Sequence, residues 1–121
     1  MEEAEIKNAV ITGAEMSNQD HGVLTGWLSL DYGGEGQAFG GLALYLPKSF
    51  THHRIDSFAG HWIFRVMEIA GVARWEDLAG KAIRVKATNT KVCEIGHIVK
   101  DDWFNPEKDF APYIRREEED V

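Results

Sequence analysis

Residues 23–46 of the 121-residue chain have the sequence VLTGWLSLDYGGEGQAFGGLALYL, and this stretch decides the fold. Over residues 23–31 apolar and polar side chains alternate, which predicts a strand with one buried face. Three glycines within residues 32–36 tolerate positive φ and allow the chain to reverse. The alternation resumes over residues 37–46, so the stretch is predicted to form a β-hairpin. Its adjacent glycines at 40–41 indicate a bend or a close approach by another backbone.

A second hairpin is predicted nearer the C-terminus. Residues 82–87 alternate in the same way, with isoleucine and valine on the inward side and arginine and lysine on the outward side. Residues 89–90 have the composition of a turn, and residues 91–99 return as the next strand. Residues 6–12 are predicted to form a further strand, and residues 16–22 a polar loop.

One helix is predicted between the hairpins, after a connecting loop at residues 48–56. Four apolar residues at helical spacing define its expected buried face: Ile63, Val66, Met67 and Ala70. Gly71 is the expected C-cap. A short helical turn is predicted at 75–78, and residues 101–106 are expected to leave the sheet as irregular chain. These elements predict an α+β, β-rich fold, a small antiparallel barrel-like sheet with one main helix and a short helical turn.

Length and composition indicate one domain without a membrane span. The chain can bury one core but not two, so residues 1–121 are expected to form a single domain with flexible tails at 1–5 and 117–121. No apolar run approaches the roughly twenty residues that cross a bilayer, and the N-terminus lacks the basic and apolar regions of a secretory signal. A single cysteine, Cys93, fits a reducing compartment. A cytoplasmic location is therefore expected.

The formal net charge of −7 is concentrated at the two ends of the chain. Between Ile6 and Arg116 the acidic residues balance the 13 lysines and arginines. Within this neutral body, residues 81–91 carry four basic residues and no acid, which would attract an anion. A solvated strand face explains the same pattern equally well.

The chemistry-bearing residues favour binding over catalysis. The glycines at 34, 36 and 40 match neither the dinucleotide fingerprint nor a Walker loop, because their spacing differs and no helix follows them. Cys93 and His97 are four residues apart, but a structural zinc normally has four ligands, so a buried cysteine and a hydrogen-bonded histidine are expected instead of a metal. No nucleophile lies beside a base, so no enzyme activity is expected.

Several stretches of the chain together resemble a family of small phage proteins. They are DHGVLT at 20–25, LDYGGEGQAFGG at 30–41, WEDLAGK at 75–81, IRV at 83–85, IGH at 95–97 and KDDWFNP at 100–106. The pattern covers most of the chain. It is similar to that of the first described Thoeris anti-defence family, the phage sponges that sequester cyclic signalling nucleotides.

The resemblance implies a protein that holds its ligand without turning it over. The implied ligands are isomers of cyclic ADP-ribose such as glycocyclic ADP-ribose, which the immune TIR enzyme makes to activate its effector. Cyclic di- and trinucleotides are bound by some members at separate sites, which extends the expected inhibition from Thoeris to CBASS effectors. The resemblance also implies a homo-oligomer, a dimer assembling to a hexamer, in the host-cell cytoplasm, with no cofactor, long nucleic acid or membrane as partner.

Residue types suited to such a ligand nominate a binding site. Phosphate groups call for arginine or lysine, ribose hydroxyls for a carboxylate, and adenine for a flat aromatic ring. The turn between the last two predicted strands offers further hydroxyl and amide groups. The candidate ligand-binding residues are Asp20, His21, Arg54, Arg84, Thr88, Asn89, Thr90, Lys91, Asp101, Trp103 and Phe104. Asp102 is an alternative to Asp101, and an aromatic plug that closes the sheet is an equal alternative for Trp103 and Phe104.

Two other functions remain open. An enzyme that degrades the same nucleotides would use His21 or His97 as its acid–base group. A phage protein-inhibitor or structural module would instead use its aromatic surface on a protein partner. If Arg84 contacts phosphate, its replacement by alanine should weaken nucleotide binding by about 2 kcal/mol and leave stability nearly unchanged.

Overall fold

The computed structural model describes residues 4–20, 23–41, 44, 58–89 and 91–111. The predicted loop at 48–56 lies outside these residues. Within them the strands are β1 (Glu5–Asp20), β2 (Val23–Tyr32), β3 (Glu35–Gly40), β4 (Ala82–Ala87), β5 (Val92–Gly96) and β6 (Trp103–Phe104). Between β3 and β4 lie helix α1 (Ala59–Ala70) and a 3-10 turn (Trp75–Asp77), and residues 106–111 are helical.

The strands form one antiparallel sheet in the order β3-β2-β1-β4-β5-β6. This confirms the predicted α+β, β-rich class, with its main helix and short helical turn. The sheet is open, because β3 and β6 are its edges and do not pair with each other. It is nevertheless strongly curled, since β3 contacts β5 although three strands separate them in the sheet. The sheet is therefore barrel-like only in its curl and does not close into a barrel.

The core lies on the concave face of the sheet, under helix α1. The alternation of apolar and polar residues correctly predicted which residues of β2 and β4 face inward. The buried residues of these strands include Leu28, Leu30, Ile83 and Val85. The helical face was predicted about one residue out of position. Its fully buried residues are Trp62, Val66 and Ile69, whereas Ile63, Met67 and Ala70 are half-buried. Trp62 sets this face because its ring stacks with Phe39 of β3, with centroids 6.2 Å apart.

Strand β1 is longer than predicted. Residues 16–20, predicted to form a loop, continue the strand and pair with β2 as far as Asp20 opposite Val23. A register shift between Ile11 and Gly13 interrupts the ladder without ending it, so the glycine marks a bulge and not the end of the strand. Polar residues are tolerated here because pairing with β2 satisfies their backbone groups whatever their side chains prefer.

The C-terminal part of the sheet also differs from its prediction. Strand β5 ends at Gly96, and residues 103–104 form strand β6 instead of irregular chain. Trp103 pairs with Gly96 and Phe104 pairs with Ile95. The glycine makes this pairing possible, because a Cβ at position 96 would lie 2.5 Å from the Trp103 ring.

Two of the three glycines predicted to reverse the first hairpin do so, whereas Gly36 lies in β3. Gly33 and Gly34 form its turn with φ of 72° and 88°. Gly40 has φ of 123°, and a Cβ there would lie 2.1 Å from the backbone oxygen of Gly26. The predicted close approach of a second backbone is therefore present at Gly40. The alternating strand ends at this residue, and Leu44 is buried further along, where its N–H donates to the Leu24 carbonyl.

Candidate functional site

One end of the curled sheet contains an open, polar cleft of about 470 Å³. The two hairpins and the beginning of β1 meet there. Its lining residues are Lys7, Tyr32, Gly36, Gln37, Thr88 and Asn89. The volume falls within the range of about 300–1,000 Å³ that small-molecule sites occupy. We call this feature the hairpin cleft.

The strand register places a cation in the hairpin cleft. Lys7 pairs with Val85 and lies on the same face of β1 as the buried Ala9, so its side chain extends along the concave side. Its Nζ lies 5.3 Å from the centroid of the Tyr32 ring, at the end of β2. This cation–π contact holds the ammonium group over the cleft wall.

A side-chain hydrogen bond joins the two hairpins across the cleft. Gln37 of β3 donates from Nε2 to the backbone oxygen of Asn89, at 3.1 Å. The Oε1 atom of the same amide is buried and accepts no hydrogen bond from the described residues. Asn89 is held in turn by the turn that follows β4, in which Thr88 N–H donates to the Lys91 carbonyl at 2.8 Å. The cleft therefore has a preformed wall of amide and hydroxyl groups.

The residue types of the hairpin cleft suit an anionic ligand. Among the described residues its lining contains one cation, two amides, a hydroxyl and a phenol, and no carboxylate. A partly enclosed lysine attracts an anion more strongly than a fully solvated one, because the local dielectric constant is lower. The neutral groups supply directional donors and acceptors for sugar or base atoms.

Two of the predicted site residues line this cleft, namely Thr88 and Asn89. Lys91 lies beside the turn, but its ammonium group is paired with Glu107, and that hydrogen bond raises the pKa of Lys91. Of the other predicted residues, His21, Arg54 and Thr90 lie outside the described part of the chain. Asp20 ends β1, and its side chain is likewise not described.

A second group of predicted residues meets on the opposite, convex face. Arg84 lies over the Trp103 ring, with its Cζ 4.9 Å from the ring centroid. Its Nε donates to the His97 carbonyl at 2.8 Å, and its Nη2 donates to the Lys100 carbonyl at 2.7 Å. Trp103 is half-buried and donates from Nε1 to Asp101 at 3.0 Å. Sequence reasoning thus grouped Arg84 with Thr88, but the structure places them in different environments.

Two further candidates serve the packing of the β6 region. Phe104 is fully buried, with its ring edge-on to Phe39 and Phe110, so it is closed to a ligand. Asp102 pairs with Arg65 of helix α1, whose Nη2 is 2.8 Å from its Oδ1. The hydrogen bond from Arg65 lowers the pKa of Asp102. The aromatic-plug alternative therefore describes Phe104, whereas Trp103 keeps part of its ring at the surface.

Sequence reasoning missed Lys7, Tyr32 and Gln37 as site residues. One signal was available for Lys7, because two-residue periodicity puts it on the same face as the apolar Ala9 and Ile11. Because lysine is rarely buried, an inward-facing lysine at the start of a strand indicates a candidate site residue. The contact between Gln37 and the turn after β4 had no comparable signal, because it joins residues 52 positions apart.

The described residues contain neither a metal site nor a membrane-spanning helix. No group of three or more His, Cys, Asp or Glu side chains among them is placed to hold a metal ion. The helices that they form are too short or too polar to span a membrane. Comparisons with protein-family models, with curated proteins and with solved structures each found no match to this chain.

Proposed function

We propose that this protein binds a small phosphorylated nucleotide in the hairpin cleft and holds it unaltered. The observation that carries the proposal is the combination of Lys7 with neutral hydrogen-bonding groups in a preformed cleft of ligand size. Lysine supplies the charge that a phosphate requires. Gln37, Thr88 and Asn89 supply the donors and acceptors that distinguish a nucleotide from a free anion.

The family resemblance narrows this proposal to cyclic signalling nucleotides. Under it, the ligands are glycocyclic ADP-ribose and related cyclic ADP-ribose isomers, with cyclic di- and trinucleotides as further ligands. The protein would act as a phage sponge in the host-cell cytoplasm and deprive Thoeris and CBASS effectors of their activators. Assembly into dimers and hexamers belongs to the same proposal. A sponge works by affinity and abundance, so a binding cleft suffices for the task.

A protein-binding module is the second candidate function. The convex face of the sheet exposes large apolar side chains, with relative exposures of 59% for Ile6, 41% for Val10 and 41% for Trp27. These three side chains lie on one face of the sheet, where a protein partner would cover them. This function requires no ligand in the hairpin cleft.

Titration calorimetry with glycocyclic ADP-ribose and cyclic di-AMP tests the proposed function. Changing Lys7 to methionine should weaken binding about tenfold or more, because charge-assisted hydrogen bonds contribute about 1.5–3 kcal/mol. Changing Lys81 to methionine is the matched control, because this exposed lysine precedes β4 at the end opposite to Thr88. Equal losses in the two variants would mean general charge attraction and would contradict a specific site.

A release assay separates sequestration from degradation. The protein is incubated with glycocyclic ADP-ribose, denatured by heat, and the supernatant is analysed by mass spectrometry. Recovery of intact ligand supports a sponge, and recovery of a cleaved product supports the enzyme alternative. If none of the nucleotides binds, the protein-binding module becomes the better account.

A further inference from the structure

Gln37 lies in the hairpin cleft with its hydrogen bonding incomplete. Its Nε2 donates one hydrogen to the Asn89 carbonyl at 3.1 Å, which fixes the orientation of the amide. Its Oε1 is buried and receives no hydrogen bond from the described residues. Most buried polar side-chain atoms in proteins have a partner, so this oxygen is an exception that calls for an explanation.

We propose that Gln37 recognises an adenine base held in the cleft, with its Oε1 accepting a hydrogen bond from the adenine amino group. This inference rests on the proposed function and names the part of the ligand that the cleft distinguishes. A glutamine amide offers an acceptor and a donor side by side, and adenine offers the complementary amino donor and ring-nitrogen acceptor. The Asn89 carbonyl acts as a positioning group, because it holds the amide plane before the ligand arrives.

The incomplete hydrogen bonding explains how discrimination would arise. The unpaired oxygen is already present in the free protein, so its cost is independent of the ligand. A base that carries an amino group removes this cost, whereas a base without the group leaves it in place. Because Oε1 has almost no accessible surface in the free protein, the Gln37 side chain must shift slightly toward the cleft for its oxygen to meet the amino group.

Gln37 also has a structural role that the test must separate from base recognition. Its bond to Asn89 joins the two hairpins across the cleft. A variant could therefore lose affinity for every ligand simply because the cleft opens. Only a change in the preference between two matched ligands reports on the amino group itself.

The experiment compares two proteins with two ligands by titration calorimetry. The proteins are the wild type and Gln37→Met, which has a similar length and lacks both amide groups. The ligands are cyclic di-AMP and its analogue in which hydrogen replaces each adenine amino group. The wild type should bind cyclic di-AMP about tenfold more tightly than the analogue. Gln37→Met should bind the two ligands within about twofold of each other, whatever its overall affinity.

Each outcome decides the inference. Loss of the preference in Gln37→Met supports it. Equal binding of both ligands by the wild type, or a preference that persists in Gln37→Met, overturns it while leaving the proposed function standing. Failure of the wild type to bind cyclic di-AMP overturns this inference, and failure to bind glycocyclic ADP-ribose as well overturns the proposed function. Should Gln37→Met not fold, Gln37→Leu replaces it, and it should likewise lose the preference because its side chain has no acceptor for the amino group.

Discussion

Arg65 ties helix α1 to the chain around β6 through several contacts at once. Its Nη2 donates to Asp102 at 2.8 Å and to the Trp103 carbonyl at 3.0 Å, and its guanidinium lies over the Phe104 ring. It also pairs with Glu68 within the helix. The Arg65 side chain is 18% exposed and that of Asp102 is 39% exposed, so solvent screens only part of the attraction.

The pair of Arg65 with Asp102 makes the stability of the fold depend on pH. The folded-state pKa of Asp102 is lowered, first of all by the hydrogen bond from Arg65. The pair therefore stabilises the fold fully above the unfolded pKa of about 3.9, and this contribution is lost as the pH falls through the lowered folded pKa. Changing Asp102 to asparagine should cost up to about 1 kcal/mol near neutral pH and less in acid. Thermal unfolding measured at several pH values checks this, with the exposed Asp77→Asn as control.

Arg84 was predicted to contact phosphate, but its donors in the structure bind backbone carbonyls. Changing Arg84 to methionine should destabilise the protein by about 1–3 kcal/mol, because two carbonyls lose charged donors. Nucleotide affinity should change little, since Arg84 lies on the face opposite to the hairpin cleft. Urea unfolding and calorimetry check the two effects, with Lys86→Met as control. Unchanged stability together with weaker binding would restore the phosphate role.

Among the elements, the β2–β3 hairpin contains a glycine that the structure requires, and helix α1 contains one that it does not require. Gly40 is required because its φ is positive and the Gly26 backbone lies against it. Gly60 is exposed and has helical geometry, and a Cβ added to it would meet no atom within 4 Å. The first glycine is demanded by the contact between strands, and the second is a weak point of the helix.

The two positions predict opposite effects of the same substitution. Gly40→Ala should destabilise the protein by about 3 kcal/mol or more, because strain and a backbone clash add together. Gly60→Ala should stabilise it by about 0.5–1 kcal/mol, because alanine loses less chain entropy in a helix. Denaturant unfolding of both variants checks the pair. A tolerated Gly40→Ala would show that β2 and β3 do not approach each other as described.

On the scale of the whole molecule, the curl of the sheet creates the hairpin cleft. Lys7, Gln37 and Asn89 come from three separate parts of the chain, and they meet only because β3 approaches β5. Any ligand held there contacts both hairpins and should resist their separation. Binding and global unfolding are therefore coupled.

This coupling predicts a ligand-dependent melting temperature. A nucleotide at a free concentration of about 100 times its Kd stabilises the native state by about 2.7 kcal/mol, which raises the melting temperature of a domain of this size by several degrees. Lys7→Met should show a smaller shift at the same ligand concentration. Differential scanning fluorimetry measures both proteins side by side. An unchanged melting temperature in the wild type would argue for the protein-binding module.

The sequence by itself determined the local features of this protein. Alternation over residues 23–31 and 82–87 predicted the buried sides of β2 and β4, because adjacent strand residues point to opposite faces. The glycines of the first turn and the C-cap at Gly71 were predicted correctly for the same kind of local reason, since each has a positive φ. The sequence also nominated Thr88 and Asn89 as candidate ligand contacts, and both line the hairpin cleft.

Only the tertiary structure decided which of these residues share a site. The length of β1, the strand at 103–104 and the approach of Gln37 to Asn89 all depend on pairing between distant parts of the chain. Strand pairing responds to neighbouring strands and burial more than to the preferences of single residues. A hydrogen bond between residues 52 positions apart produces no periodic pattern in the sequence. The hairpin cleft can therefore be identified only in the folded structure, where the curl of the sheet brings these residues together.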